Sequence, residues 1–88
     1  MTIVLSGNLR RYTSFEGEVE IDAISVSKAL DALVDRFRDL KPVLYDATGK
    51  PRSVHRLYLN GEVLEIGDTD HALAPTDELG ILTAIAGG

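Results

Sequence analysis

The sequence carries one strong helical stripe, and that stripe limits the folds open to it. Val26, Ala29, Leu30, Leu33, Val34, Phe37 and Leu40 recur at the i, i+3, i+4, i+7 spacing of an amphipathic helix. Ser25 stands at the N-cap, where its hydroxyl can accept from a free N–H of the first turn, and Lys28 at N3 rules out a capping box. Lys41-Pro42 is expected to end the helix, because the residue before proline avoids the α region. Asp31, Asp35, Arg36, Arg38 and Asp39 fall on the other side and read as solvated surface. A single stripe covers a single sheet face, so strands elsewhere in the chain imply a two-layer α+β domain.

Strand signals surround the helix. Thr2 to Ser6 is a β-branched run stopped by Gly7-Asn8, and Glu18 to Asp22 alternates polar and apolar with period two. Leu9 to Gly17 between them reads as a turn anchored by Leu9, Tyr12 and Phe15, so the two strands can form a hairpin. After the helix, Pro42 to Ser53 reads as a long connection with its tip at Thr48-Gly49-Lys50-Pro51, and Val43, Leu44 and Tyr45 as an irregular return over the core. Val54 to Leu59 and Glu62 to Ile66 flank Asn60-Gly61, the residue pair that accepts the positive φ values of a type I′ hairpin turn. His71 to Ala74 is expected as one helical turn with Leu73 inward, followed by a turn at Pro75 to Glu78 and a last strand from Leu79 to Ile85. The order is β-β-α-β-β-β. Strand alternation places Ile3, Leu5, Val19, Ile21, Leu57, Leu59, Leu79 and Ile81 under the helix, and Val4, Ser6, Arg56, Tyr58 and Leu82 on the opposite face. A small apolar patch of that kind reads either as a protein-binding face or as scattered surface residues.

At 88 residues the chain is one domain, and 44% hydrophobic with 26% charged residues is ordinary globular composition. The net charge of −5 argues against nucleic acid as a partner, and no apolar run is long enough to span a bilayer. With no basic start or small-residue cleavage site to mark a signal peptide, a cytoplasmic protein is expected. The absence of cysteine removes disulfides, thiolate metal sites and a cysteine nucleophile, and His55 and His71 lack metal-ligand spacing. No metal site is expected.

The sequence closes on Gly87-Gly88 directly after the apolar strand. Such a pair arises by chance at a given position about once in 200 chains, so it gains meaning only from the domain before it. Order, size and ending together resemble the ubiquitin-like β-grasp fold, a mixed sheet of about five strands with one main helix on one face. More narrowly the chain is similar to the bacterial sulfur carriers: the small subunit of molybdopterin synthase and the thiamine-pathway and cysteine-pathway carriers. The residues that carry the resemblance are Ile81-Leu82-Thr83-Ala84-Ile85-Ala86-Gly87-Gly88, Leu9-Arg10, the helix start Ser25-Val26 and the hairpin Leu59-Asn60-Gly61-Glu62. Thr76 replaces the glycine of the family's Gly-Asp turn, and Thr83 stands where molybdopterin-type members often have proline.

The resemblance implies a β-grasp domain over residues 1–86 and a flexible tail at 87–88. In such carriers an E1-like activating enzyme, using ATP and Mg²⁺, adenylates the C-terminal carboxylate, here that of Gly88. Sulfur then replaces AMP, and a sulfur-accepting synthase takes it for its product, of the molybdopterin, cysteine or secondary-metabolite type. The protein would be a cosubstrate and not an enzyme, holding no permanent cofactor. Gly87 and Gly88 suit a narrow channel because glycine lets backbone approach a ligand closely. Val4, Tyr58, Val63 and Leu82 are the expected partner interface. Two alternatives stay open: a ubiquitin-like modifier conjugated through Gly88, and a non-covalent β-grasp binding module.

Overall fold

Two hairpins and a late strand build the sheet. In the computed structural model, which describes residues 1–14, 16–52, 54–65 and 70–83, strand β1 is Thr2–Leu5 and β2 is Glu18–Glu20. Helix α1 spans Val26–Arg36 and a short helix α2 spans Lys41–Leu44. Strands β3, β4 and β5 are His55–Leu59, Glu62–Val63 and Glu78–Thr83. The five strands lie in the order β2-β1-β5-β3-β4. β1 pairs antiparallel with β2, and β3 with β4, so each hairpin occupies one flank. β5 enters between them, parallel to β1 and antiparallel to β3. The result is the expected mixed, ubiquitin-like β-grasp sheet, with α1 linking one flank to the other.

The core lies between sheet and helix. Ile3, Leu5, Val19, Ile21, Leu57, Leu79 and Ile81 meet Val26, Ala29, Leu30, Leu33 and Val34, all buried, while Leu59 is half-buried against them. The Ser25 hydroxyl accepts from the Lys28 N–H at 3.3 Å, the cap read from sequence. Asn60 and Gly61 have φ of +51° and +88°, as the turn required.

Three segments differ from the sequence reading. The stripe does not continue as one helix to Leu40. Phe37 leaves the α region (φ −124°, ψ 84°), and a 3₁₀ turn over Arg38–Leu40 leads into α2. This re-aiming lets both Leu40 and Leu44 be fully buried. Lys41 adopts helical angles (φ −54°, ψ −53°) although Pro42 follows, and Pro42 sits in the first turn of α2, where a missing N–H costs nothing. The turn expected after β1 is instead a 3₁₀ helix over Gly7–Tyr12 that buries Leu9; Phe15 lies outside the described residues. His71 to Ala74 is not helical. It runs extended, with an isolated bridge between Ala72 and Ser25. The Val26 N–H donates to the His71 carbonyl at 3.0 Å and the Leu73 N–H to the Ile24 carbonyl at 2.9 Å. The segment thereby satisfies a free N–H at the start of α1 and still turns Leu73 inward, buried.

The connection after α2 is built by Asp46. Its carboxylate accepts from the Thr48 N–H, the Thr48 hydroxyl and the Lys50 N–H at 2.9, 2.6 and 3.1 Å. The Thr48 hydroxyl above all, then the two backbone donors, hold the Asp46 pKa below the usual carboxylate value. The Tyr45 hydroxyl donates to Asp31 Oδ1 at 2.9 Å, fastening this connection to α1; burial, then that bond, pushes the tyrosine pKa upward. Ser53 and Ile66 lie outside the described residues, and within them β4 stops at Val63, although the Leu64 N–H still reaches the Leu57 carbonyl at 2.8 Å.

If α2 closes the core, Leu44→Ala should cost about 2–5 kcal/mol in urea unfolding, as a buried large-to-small change does. Ile24→Ala, at a side chain 78% exposed, should stay within about 0.5 kcal/mol. Equal effects from the two changes would contradict the packing.

Candidate functional site

Strand pairing assembles the sheet face opposite the helix. Register places Glu18, Val4, Gly80, Tyr58 and Val63 in one row across all the strands, and residues paired in this way share a face. Leu82 lies one step nearer the end of β5, opposite Arg56. Val4, Ser6, Tyr58, Gly61, Glu78, Gly80, Ile81 and Leu82 line a groove of about 260 Å³. Of the expected interface residues, Val4, Tyr58 and Leu82 therefore meet at one groove. Val63 does not line it; it flanks Tyr58, 59% exposed, as Leu82 is 43% exposed. Gly87 and Gly88 lie outside the described residues.

Gly61, Glu78 and Gly80 are groove residues that sequence reading did not place on this face, and Gly80 is the central one. Alternation puts it outward between Leu79 and Ile81, but only the pairing of β5 with both neighbours shows that it separates Val4 from Tyr58. With no side chain there, the floor of the groove is backbone. A Cβ at Gly80 would meet the Tyr58 Cβ at 3.6 Å, an ordinary contact, so the glycine is not demanded by packing.

Side-chain bonds clasp β5 at its start and again at Ile81. At its start, the Asn60 N–H donates to the Glu78 carbonyl at 2.9 Å and the Glu78 N–H to Asn60 Oδ1 at 2.9 Å. Asp77 accepts from the Ala74 N–H at 2.7 Å and from the Asn60 amide at 3.0 Å. Those bonds, the backbone one first, hold the Asp77 carboxyl below the usual carboxylate range. Farther along the strand the Ser6 hydroxyl donates to the Ile81 carbonyl at 3.1 Å. Asn60 was legible as a turn residue; its second role, tying the hairpin to β5, needed the fold. Thr76, in the turn before β5, does not need glycine's freedom: only Ser14 and Asn60 among the described non-glycine residues have positive φ.

The groove offers shape and apolar surface, flanked by carboxylates and one guanidinium. Among the described residues no group of three or more His, Cys, Asp and Glu side chains is placed to hold a metal. Among them also, no helix is long and apolar enough to cross a membrane.

The profile of the ThiS family matches residues 3–88 of this sequence. No curated protein is a significant match. Among solved structures, a chain of the BexX/CysO complex of Amycolatopsis orientalis is 28% identical, with 99% of this chain and 98% of that one covered and a TM-score of 0.86. SAMP1 from Haloferax volcanii is 26% identical over 99% of this chain and 97% of its own, also with a TM-score of 0.86. CysO from Mycobacterium tuberculosis, at 23% identity over 96% and 98% of the two chains and a TM-score of 0.83, shares the fold.

The Asp77 clasp has a definite pH signature. A folded pKa depressed below the ordinary value of about 3.9 contributes stability that is present above that value and lost as pH falls through the folded pKa. The urea midpoint of Asp77→Asn should lie below that of the unmodified protein at neutral pH, and the gap should close as pH falls into the strongly acidic range. A gap that is constant with pH would contradict the clasp.

Proposed function

The chain belongs to the ThiS family, a ubiquitin-like β-grasp sulfur-carrier family, and we propose that it carries sulfur as a thiocarboxylate on Gly88. The observation that supports this most is the family match itself, which runs through the closing Gly87-Gly88. The carboxylate oxygen attacks the α-phosphorus of ATP on an E1-like activating enzyme and expels pyrophosphate, giving an acyl-adenylate. A free carboxylate is a poor electrophile; the phosphoanhydride oxygen is a good leaving group and makes the carbonyl carbon attackable. A sulfur nucleophile supplied by the partner then displaces AMP. ATP and Mg²⁺ belong to the activating enzyme, and this chain supplies neither acid, base nor metal. A sulfur-accepting synthase takes the sulfur in the next step; molybdopterin-type, cysteine-type and secondary-metabolite products use the same arm.

The domain's part is positioning. β5 is paired on both sides as far as Ile81 and with β3 through Thr83, so the sheet holds the strand that precedes the C-terminal residues. Val4, Tyr58 and Leu82, flanked by Val63, dock the activating enzyme and then the synthase. Successive use of one face by two partners favours modest affinity, which a small apolar groove provides.

A second reading has its own support. SAMP1 of Haloferax volcanii, 26% identical, is a small archaeal modifier protein. Conjugation of Gly88 to lysine amines would use the same adenylation, and Gly88-linked lysine remnants in cell digests would identify it.

Gly88→Ala, or one residue added after Gly88, should slow sulfur loading by at least about 100-fold, since small misplacement of a reacting carbon has effects of that size. The circular dichroism spectrum should not change. Loading at the normal rate would remove Gly88 from the chemistry. Leu82→Asp should weaken activation roughly tenfold, as loss of an apolar contact at an interface does, with helix content intact. An unaltered activation rate would take Leu82 out of the interface.

A further inference from the structure

Charge is unevenly distributed along the groove face. Where β5 begins, Glu78 lies outward, next to Thr2, whose partner across β1 and β2 is Glu20. The Thr2 hydroxyl donates to the Glu20 carboxylate. Glu18 stands level with Val4 on the same edge. All of these glutamates are exposed. Where β5 ends, the outward residue on the neighbouring strand is Arg56, exposed and paired in register with Leu82. Glu78 and Leu82 are about 13 Å apart along the strand at the rise of an extended chain.

Arg56 has no hydrogen-bond or ion-pair partner among the described residues. The arginines around it differ. Arg10 donates through Nε to the Leu5 carbonyl at 3.0 Å, and Arg52 to the Pro42 carbonyl at 3.1 Å. Arg56 is thus the guanidinium on this face that the fold leaves unused. It lies beside the apolar groove, at the end from which the chain continues to Gly88. Arg11, exposed in the 3₁₀ segment that follows β1, lies at the same end.

We propose that Arg56 sets the orientation in which this face docks, by pairing with a carboxylate on the lip of the activating enzyme's tail channel. The inference rests on the carrier reading above. An apolar groove alone is compatible with docking either way round, and only one way feeds the tail into the channel. A face that is acidic at one end and basic at the other removes that ambiguity, because reversed docking sets like charges against each other. The partner it fits is a protein surface with an acidic lip beside an apolar ridge and a basic patch about 13 Å away. The net charge of −5 would by itself select a basic partner; Arg56 demands a local exception.

The test is ATP-dependent pyrophosphate release by the adenylating enzyme of the same organism, with the carrier as varied substrate. Unmodified protein, Arg56→Gln, Arg56→Glu and the control Arg38→Glu are compared at low and high salt. Arg38 is an exposed residue of the 3₁₀ turn between the helices. Arg56→Glu should raise KM for the carrier about tenfold or more, the size of a lost interfacial charge pair, with kcat within about twofold. Arg56→Gln should fall between, Arg38→Glu should match the unmodified protein, and the salt dependence of KM should shrink in both Arg56 variants. An unmodified KM for Arg56→Glu overturns the proposal and leaves the carrier reading standing. Failure of the unmodified protein to be adenylated overturns both. Self-association that Arg56→Glu abolishes would give the face to a second copy of the chain, which also overturns the proposal.

Discussion

The structure depends on the pairing of β5 between two hairpins that do not otherwise share a ladder. β1 accepts it in parallel from Thr2–Glu78 to Leu5–Ile81, and β3 antiparallel from His55–Thr83 to Leu59–Leu79. Until the last strand enters, the sheet is two separate flanks, and the face that α1 covers is incomplete. Its inward residues, Leu79 and Ile81, are 0% and 1% exposed, and burial of each contributes about 1.5–3 kcal/mol. The side-chain bonds from Asn60 and Asp77 fix where the strand starts, and Ser6 ties it to β1 at Ile81.

The same strand divides structure from function by parity. Odd positions, Leu79 and Ile81, hold the core, whereas even positions, Gly80 and Leu82, form the outer face. The arrangement suits the proposed carrier role. Motion of β5 between Glu78 and Ile81 would require breaking ladder bonds on both sides, and Leu82 and Thr83 stay paired with β3. The groove is anchored in the same ladder, so a partner that grips Val4, Tyr58 and Leu82 also fixes where the arm begins. Arg56, opposite Leu82, adds polarity to a contact whose apolar part has none.

Much of this was legible in the sequence, for local reasons. Period-two alternation gave the strands and their inner face, Asn60-Gly61 gave the hairpin, and Ser25 gave the cap. Alternation also put Val4, Tyr58 and Leu82 on one side. What escaped was decided by distant contacts. The helix stops at Arg36 because Leu40 and Leu44 reach the core by a turn, and a pre-proline preference of a few residues cannot oppose that burial. His71 to Ala74 is extended because a free N–H at the start of α1 needs a carbonyl. Gly80 drew no separate reading from the sequence; the register set it between Val4 and Tyr58. The ending at Gly87-Gly88 was legible only as composition, and its meaning came from the domain in front of it.

The central claim concerns one atom of the chain, a carboxylate oxygen of Gly88. Intact-protein mass spectrometry after incubation with ATP, Mg²⁺, the activating enzyme and a sulfur source tests it most directly. The account predicts a mass gain equal to replacement of one oxygen by sulfur, localised to the C-terminal peptide and dependent on ATP. A mass unchanged under conditions in which the enzyme loads another carrier would contradict it.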